Sequence, residues 1–328
     1  MIRFTTKEEG GCALNRHSHK KAGRSGEGMG SLALGAAMLG ISFSATLNKL
    51  ALGEGLHPIW INALRLGFAI ALMLLYALVR RRAPVRGMTR RTLLLSLVSG
   101  AFLAAHFVCW VYALKLTDAL AAAALWSTYL FMTALGSVAL FRERIPKAAA
   151  VSMGVAFLGV LVCCMNMSAS RLSGNLFALG AAATQAGYFL CGRFVRRHVD
   201  NFSYTLVVYG AAFAVLMVTG FALCLNVDGL SAPSLLSTLG LAVFCTLLGH
   251  TLSSYALKSL SATTVSVAML TEVVSGPLMV FLVLGEAPGR FTLIGGAIII
   301  LSVAWFFYLD VRTRPVLAQT AAEGAEIP

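Results

Sequence analysis

The chain alternates long apolar runs with short polar punctuation. Ten runs stand out, at residues 31–52, 59–79, 93–114, 119–141, 148–167, 172–190, 204–225, 235–257, 263–284 and 291–309. A helix needs roughly 20 mostly apolar residues to cross a hydrocarbon core about 30 Å thick. None of the runs shows the strict alternation of a barrel strand, and each is about twice the roughly 10 residues such a strand needs. The pattern predicts an all-α integral membrane protein with ten transmembrane helices. The connections are short, so no sizeable extramembrane domain is expected. Residues 1–30 are polar, basic and Gly-rich and read as a disordered cytoplasmic tail, with a second tail at 310–328. No apolar segment in the first 30 residues resembles a cleaved signal peptide. Met29, directly before the first run, is an alternative start.

Composition strengthens this reading. Hydrophobic residues make up 58% of the chain and charged residues 12%, against roughly 45–50% and about 25% in soluble proteins. A soluble enzyme, a disordered chain and a disulfide scaffold are thereby excluded. The net charge of +13 would suggest nucleic acid in a soluble protein. Here the charges sort by loop instead. Of the 26 Lys and Arg, 21 lie in the N-terminal tail, in the 80–91 segment, or just after runs 4, 6, 8 and 10. The opposite side holds only Lys115, Arg171 and Arg290. The excess of Lys and Arg on cytoplasmic loops then puts both termini in the cytoplasm of a bacterial-type inner membrane. The same charges attract anionic membrane lipid. They are not gathered with aromatic residues on one surface, so no nucleic acid partner is expected. The seven cysteines show no CxxC and no His spacing; they read as packing residues, with no metal and no cofactor.

An internal repeat divides the chain. Tyr112-Ala113-Leu114-Lys115 recurs as Tyr255-Ala256-Leu257-Lys258, and Glu143 meets Glu286 at the same offset, each near a proline (Pro146, Pro288). Ala33-Leu34-Gly35-Ala36-Ala37 recurs at 178–182. The expected domains are two five-helix halves, 31–167 and 172–309. Because five is odd, the second half must enter the membrane from the side opposite to the first. Inverted repeats are the architecture of alternating access, with a substrate site near the bilayer midplane.

These residues also resemble a known family. His106-Phe107-x2-Trp110-x-Tyr112-Ala113-Leu114, then Asp118 and Arg142-Glu143-Arg144, are similar to the first-half signature of EamA-type members of the drug/metabolite transporter superfamily. The second half follows the pattern in order, through Gly249-His250-Thr251-Leu252, Tyr255-Ala256-Leu257, Ser261-Ala262-Thr263, Glu272, Leu284-Gly285-Glu286 and Ile294-Gly295-Gly296. Lys49 and Arg65 sit where the family often has them. The resemblance covers about residues 30–310 and implies ten helices in two inverted halves that transport small metabolites, often outward. Two centres depart from the pattern. Glu272 is followed by Val273 rather than proline, with Pro277 later, and Trp126-Ser127-Thr128-Tyr129 lacks the mid-helix proline.

The candidate site residues are few. Glu272 is the one carboxylate well inside an apolar run. Intramembrane ionisable groups mark pathway or coupling sites by default, and desolvation favours the neutral carboxyl, which suits reversible proton binding. The alternative is a structural Glu paired with Lys49 or Arg65. Pro277 removes a backbone bond to the carbonyl of Val273 and should kink that helix. His106 and His250 are near symmetry mates. His106 shares a helical face with Trp110, either as cavity lining or as a histidine bonded across helices. Trp126 pairs with Tyr129, and Gln185 with Tyr188, on single faces; each is a cavity or a packing pair. Lys49 and Arg65 either attract an anionic substrate or snorkel, and Lys49 lies near a run end. Glu143 and Glu286 read as turn and cap residues with arginines nearby.

The leading expectation is a secondary transporter of small organic metabolites or drugs, an exporter of amino acids or related compounds, working by alternating access with protons as a coupling ion. The alternative is a polytopic membrane enzyme such as a lipid-modifying transferase. The sequence shows no HExxH, no paired metal carboxylates and no nucleophile elbow for one, so an enzyme is not expected. Without a Walker motif, the driving force must come from an ion gradient, the substrate's own gradient or a partner. Oligomeric state is left open.

Overall fold

The computed structural model describes residues 29–308 except 30, 84, 142–146, 164, 166–168, 197, 250, 251, 253–270, 292, 303, 306 and 307. Among the described residues there is no strand. The helical segments are α1 (Ser31–Gly53), α2 (Pro58–Val79), α3 (Arg90–Leu116), α4 (Ala119–Ser127 and Tyr129–Phe141), α5 (Lys147–Cys163), α6 (Ala169–Val195), α7 (Asn201–Ala222), α8 (Ala232–Gly240, continuing as a π-helix over Leu241–Gly249), α9 (Thr271–Leu284) and α10 (Leu293–Ser302). Six of them, α1–α4, α7 and α8, are long and apolar enough to cross a membrane. In α6 the polar residues Asn175, Thr184 and Gln185 dilute the apolar run. The apolar stretches of α5, α9 and α10 are shorter among the described residues. His250, Glu143 and the second Tyr-Ala-Leu-Lys copy lie outside the described residues.

Local chemistry sets the helix starts. Thr89 and Ser231 each form a reciprocal capping box with the residue three positions on, Thr92 and Ser234, satisfying donors that a helix start leaves free. Asp118 accepts from the backbone of Ala121 at 2.8 Å, and Asp200 from those of Phe202 and Ser203. Three helices are interrupted mid-course. α1 has a turn at Phe43. α4 breaks at Thr128, where Ser127 and Thr128 hydroxyls bond back to the carbonyls of Ala124 and Leu125 at 2.6 and 2.7 Å; such back-bonding bends helices. α8 widens into the π-helix.

The packing has a regularity that exposes the repeat. α3 packs along α6, and α1 along α8; α3 meets α7, and α2 meets α8. α4 meets α6, and α9 meets α1. α2 with α7, and α4 with α9, complete the set. Exchanging each helix for the one five places on returns the same pairs. α5 and α10 join through Ser152 and Ser302, each hydroxyl bonding the other's backbone carbonyl. The most extensive contacts therefore run between the two halves rather than within them. The halves form one body with a shared core, centred on side chains such as Leu66, Leu103, Val111, Leu125, Tyr204 and Leu241.

Small residues let these backbones close up. A Cβ added to Gly100 of α3 would sit 2.6 Å from the Cβ of Ala211 and 2.7 Å from the carbonyl oxygen of Val208 in α7. At Gly40 of α1 the obstacle is the carbonyl of Phe244, 2.7 Å away in the π-helix. The outward surface is rich in large apolar side chains, among them Leu74, Leu78, Phe157, Val218 and Leu282, as a lipid-facing surface requires.

Candidate functional site

Four helices meet around Glu272. Its carboxylate opens onto a small cavity with Ile41 and Ala45 of α1, Trp110 of α3, Ala123 and Trp126 of α4, and Gly276 and Pro277 of α9. The void is about 10 Å³, close to the least that holds one water molecule. Metabolite sites are typically several hundred Å³, so binding one requires the helices to part. α1 and α9 are tied beside the cavity by Ser42 and Ser275, whose hydroxyls lie 2.6 Å apart. Pro277 lies inside α9 and cannot donate to the carbonyl of Val273, one residue beyond Glu272. That carbonyl remains as an acceptor beside the carboxylate.

The walls are aromatic. Trp110 and Trp126 have ring centroids 5.6 Å apart, and Tyr129 lies 4.9 Å from Trp126 across the α4 break. The Trp126 indole N–H is buried with no hydrogen-bond partner among the described residues. An unmet buried donor is costly, and this one belongs to a cavity-lining residue. A carboxylate, a freed carbonyl, an indole donor and π-faces make a site suited to a polar organic group with an apolar body.

Arg65 lies next to this centre and is 3% exposed. It does not snorkel. Its Nε donates to Thr246 Oγ1 at 2.7 Å, and its guanidinium stacks 4.1 Å over the Phe107 ring. The ion pairs among the described residues are Lys49–Glu286 and Arg82–Asp200, and neither includes Arg65 or Glu272. The structural pairing of Glu272 with Arg65 or Lys49 is thus not formed.

The remaining candidates separate. Lys49 pairs with Glu286 at 2.5 Å and takes no part in the cavity. Glu286, expected beside arginines, has this lysine instead, because the α9–α10 connection returns to the end of α1. His106 donates from Nδ1 to the Ala181 carbonyl at 2.9 Å, bridging α3 to α6, with its ring 6.2 Å from Trp126. Gln185 is buried on α6. The Tyr188 hydroxyl accepts from Arg196 at 3.3 Å, toward the end of α6. Gln185 and Tyr188 are absent from the cavity lining. Thr246 and Phe107, which hold Arg65, were not singled out by sequence. Phe107 stands inside the quoted His106–Trp110 segment, and Thr246 is a lone hydroxyl in an otherwise apolar stretch.

A sequence model of the EamA-like transporter family matches residues 28–165 and again 172–308. No protein of curated function matches. Among the solved structures that match, one described only as a crystal structure of a protein superposes with a TM-score of 0.59 at 18% identity, covering 87% of this chain and 98% of its own. At that identity the likeness concerns the fold.

Proposed function

The chain belongs to the EamA-like transporter family of the drug/metabolite transporter superfamily, and from that premise we propose that it is a gradient-driven carrier of small organic metabolites that works by alternating access. It is a multi-pass membrane protein. All ten helical segments would span the membrane, as two inverted halves at 31–167 and 172–309. The symmetric exchange of helix pairs supports this arrangement. The loop charges support a cytoplasmic position for both termini; a bacterial-type inner membrane and export as the direction rest on the family resemblance alone.

One observation carries the functional reading: Glu272 faces a cavity walled by Trp110 and Trp126 and is left without an ion-pair partner among the described residues. Leaving a carboxylate unpaired in a membrane interior is expensive. A group that binds and releases a proton or a cationic substrate must bear that cost. Amino acids, their analogues and related amines fit an aromatic cavity with one acid, and protons would serve as the coupling ion. The test is uptake and efflux of radiolabelled amino acids and amines in proteoliposomes across a pH range. Glu272→Gln should keep its helical spectrum and lose the pH dependence of flux. Flux whose pH dependence survives in this variant would overturn the reading.

A further inference from the structure

Arg65 is held by a neutral hydroxyl close to the Glu272 cavity: Phe107 beneath it lies three residues from Trp110 on α3, and Cys245, next to Thr246, bonds the Gly40 carbonyl beside Ile41. A guanidinium buried near a carboxylate ordinarily forms the two-pronged pair that its geometry matches. Here the bond goes from Nε to Thr246 Oγ1 at 2.7 Å, and Phe107 takes the π-face at 4.1 Å. The π-helix explains why Thr246 can accept. A hydroxyl has one hydrogen and two lone pairs. The Thr246 hydroxyl gives its hydrogen to the carbonyl of Leu241, five residues back, at 3.0 Å. Its oxygen is thereby fixed as an acceptor aimed at Arg65. Thr246 is fully buried, so no water substitutes for it. Stretches of π-helix within α-helices are rare and recur at functional sites.

We propose that Thr246 is a positioning residue that holds Arg65 off Glu272, and that Arg65 serves as an internal stand-in for the cargo. While Thr246 holds the guanidinium, the carboxylate is free for a proton or a cationic substrate. When the cargo leaves, Arg65 moves from Thr246 to Glu272, and the empty carrier reorients with its carboxylate neutralised. This rests on the transporter reading. No bond is made or broken except hydrogen bonds, and charge is conserved because one cation replaces another at the same carboxylate. The groups facing this exchange are Tyr129 of α4 and Cys245 of α8 toward Glu272, and Tyr209 of α7, Cys245 and His106 of α3 toward Arg65. Apart from Arg65 and Glu272, none is a strong acid or base that would substitute for either partner.

The test reads Glu272 directly and needs no cargo. Dicyclohexylcarbodiimide reacts with protonated carboxyl groups in apolar surroundings. Its labelling of Glu272 in detergent-solubilised protein is followed by mass spectrometry, with the exposed Asp228 as the water-facing reference. Thr246→Val removes the acceptor while keeping the shape. It should send Arg65 to Glu272 and slow labelling there at least tenfold, whereas Thr246→Ser should restore the original rate. Adding Arg65→Gln to Thr246→Val should also restore it, since the protection passes through Arg65. Unchanged labelling in Thr246→Val, or slow labelling that persists once Arg65 is replaced, would overturn the proposal. If the valine variant does not fold, Thr246→Ala makes the same comparison. Because this readout involves no flux, it can fail while the flux assay succeeds, and the reverse.

Discussion

The α3–α7 contact yields a prediction of opposite sign at two glycines. Gly100 and Gly210 both lie inside helices, where replacing glycine by alanine gains up to about 1 kcal/mol from the backbone alone. They differ in what an added methyl meets. At Gly210 nothing lies within 4 Å, so Gly210→Ala should keep that gain. At Gly100 the methyl would press on Ala211 Cβ at 2.6 Å, Val208 O at 2.7 Å and the Ala212 nitrogen at 3.1 Å. Two of these are backbone atoms that no rotamer change can move. Ordinary C···O contacts lie near 3.3–3.6 Å and C···C contacts near 3.5–4.0 Å, so α3 and α7 would have to separate by about 1 Å. Overpacking of this kind costs roughly 1–3 kcal/mol, and the rigidity of the obstacle points to the upper half. The net loss at Gly100 is then about 1–2 kcal/mol, leaving the two variants about 2–3 kcal/mol apart. At roughly 2–4 °C per kcal/mol, thermal unfolding in detergent followed by tryptophan fluorescence should place Gly100→Ala several degrees below Gly210→Ala, with wild type between. Coincident transitions would refute the close approach of α3 and α7.

Two further outcomes follow from the site and its surroundings. Trp110→Ala removes one wall of the Glu272 cavity and should weaken binding of any transported amine or amino acid about tenfold or more; intact affinity in a proteoliposome competition assay would remove α3 from the site. Asp200 caps α7 outside the membrane, where burial pushes its carboxyl up but bonds from Ser203 and Phe202 and the nearby Arg82 outweigh this and hold it below the usual range. A group lowered on folding contributes stability that is complete above its unfolded value, near 4, and is lost as pH falls through the folded value. Acid unfolding scans below about pH 4 should therefore be flatter for Asp200→Asn than for wild type, and superimposable scans would contradict the cap.

Much of the fold was legible because a membrane demands long apolar runs, and the Tyr-Ala-Leu-Lys repeat marked the halves. That Glu272, Trp110 and Trp126 line one cavity has a related origin in the sequence: a carboxylate or an indole within such a run has few reasons to be there. What holds Arg65 was not. A threonine such as Thr246 is tolerated anywhere in a membrane helix and carries no periodicity, and its role depends on a π-helical stretch that no pattern of apolar residues encodes. Nor could spacing show that Lys49 meets Glu286, because that pairing follows from how α1 and the α9–α10 connection come together. The α4 break was hidden in plain view, since Ser127 and Thr128 replace the expected proline by bonding backward.

The pairing of helices across the halves bears on how the chain is made. Synthesis delivers α1 to α4 first, yet their most extensive contacts are with α6 to α9. Until those arrive, the early helices have only their lesser contacts with one another, such as α2 with α3 and α1 with α3. For α2 this means entering the bilayer with Arg65 unclaimed, because Thr246 is 181 residues further along the chain. A central arginine costs about 2.5–3.5 kcal/mol on insertion. α2 has a mean hydropathy of 1.9 over its most apolar window with Arg65 included, so its other residues offset that cost. The core is thus completed late, when the second half packs against the first.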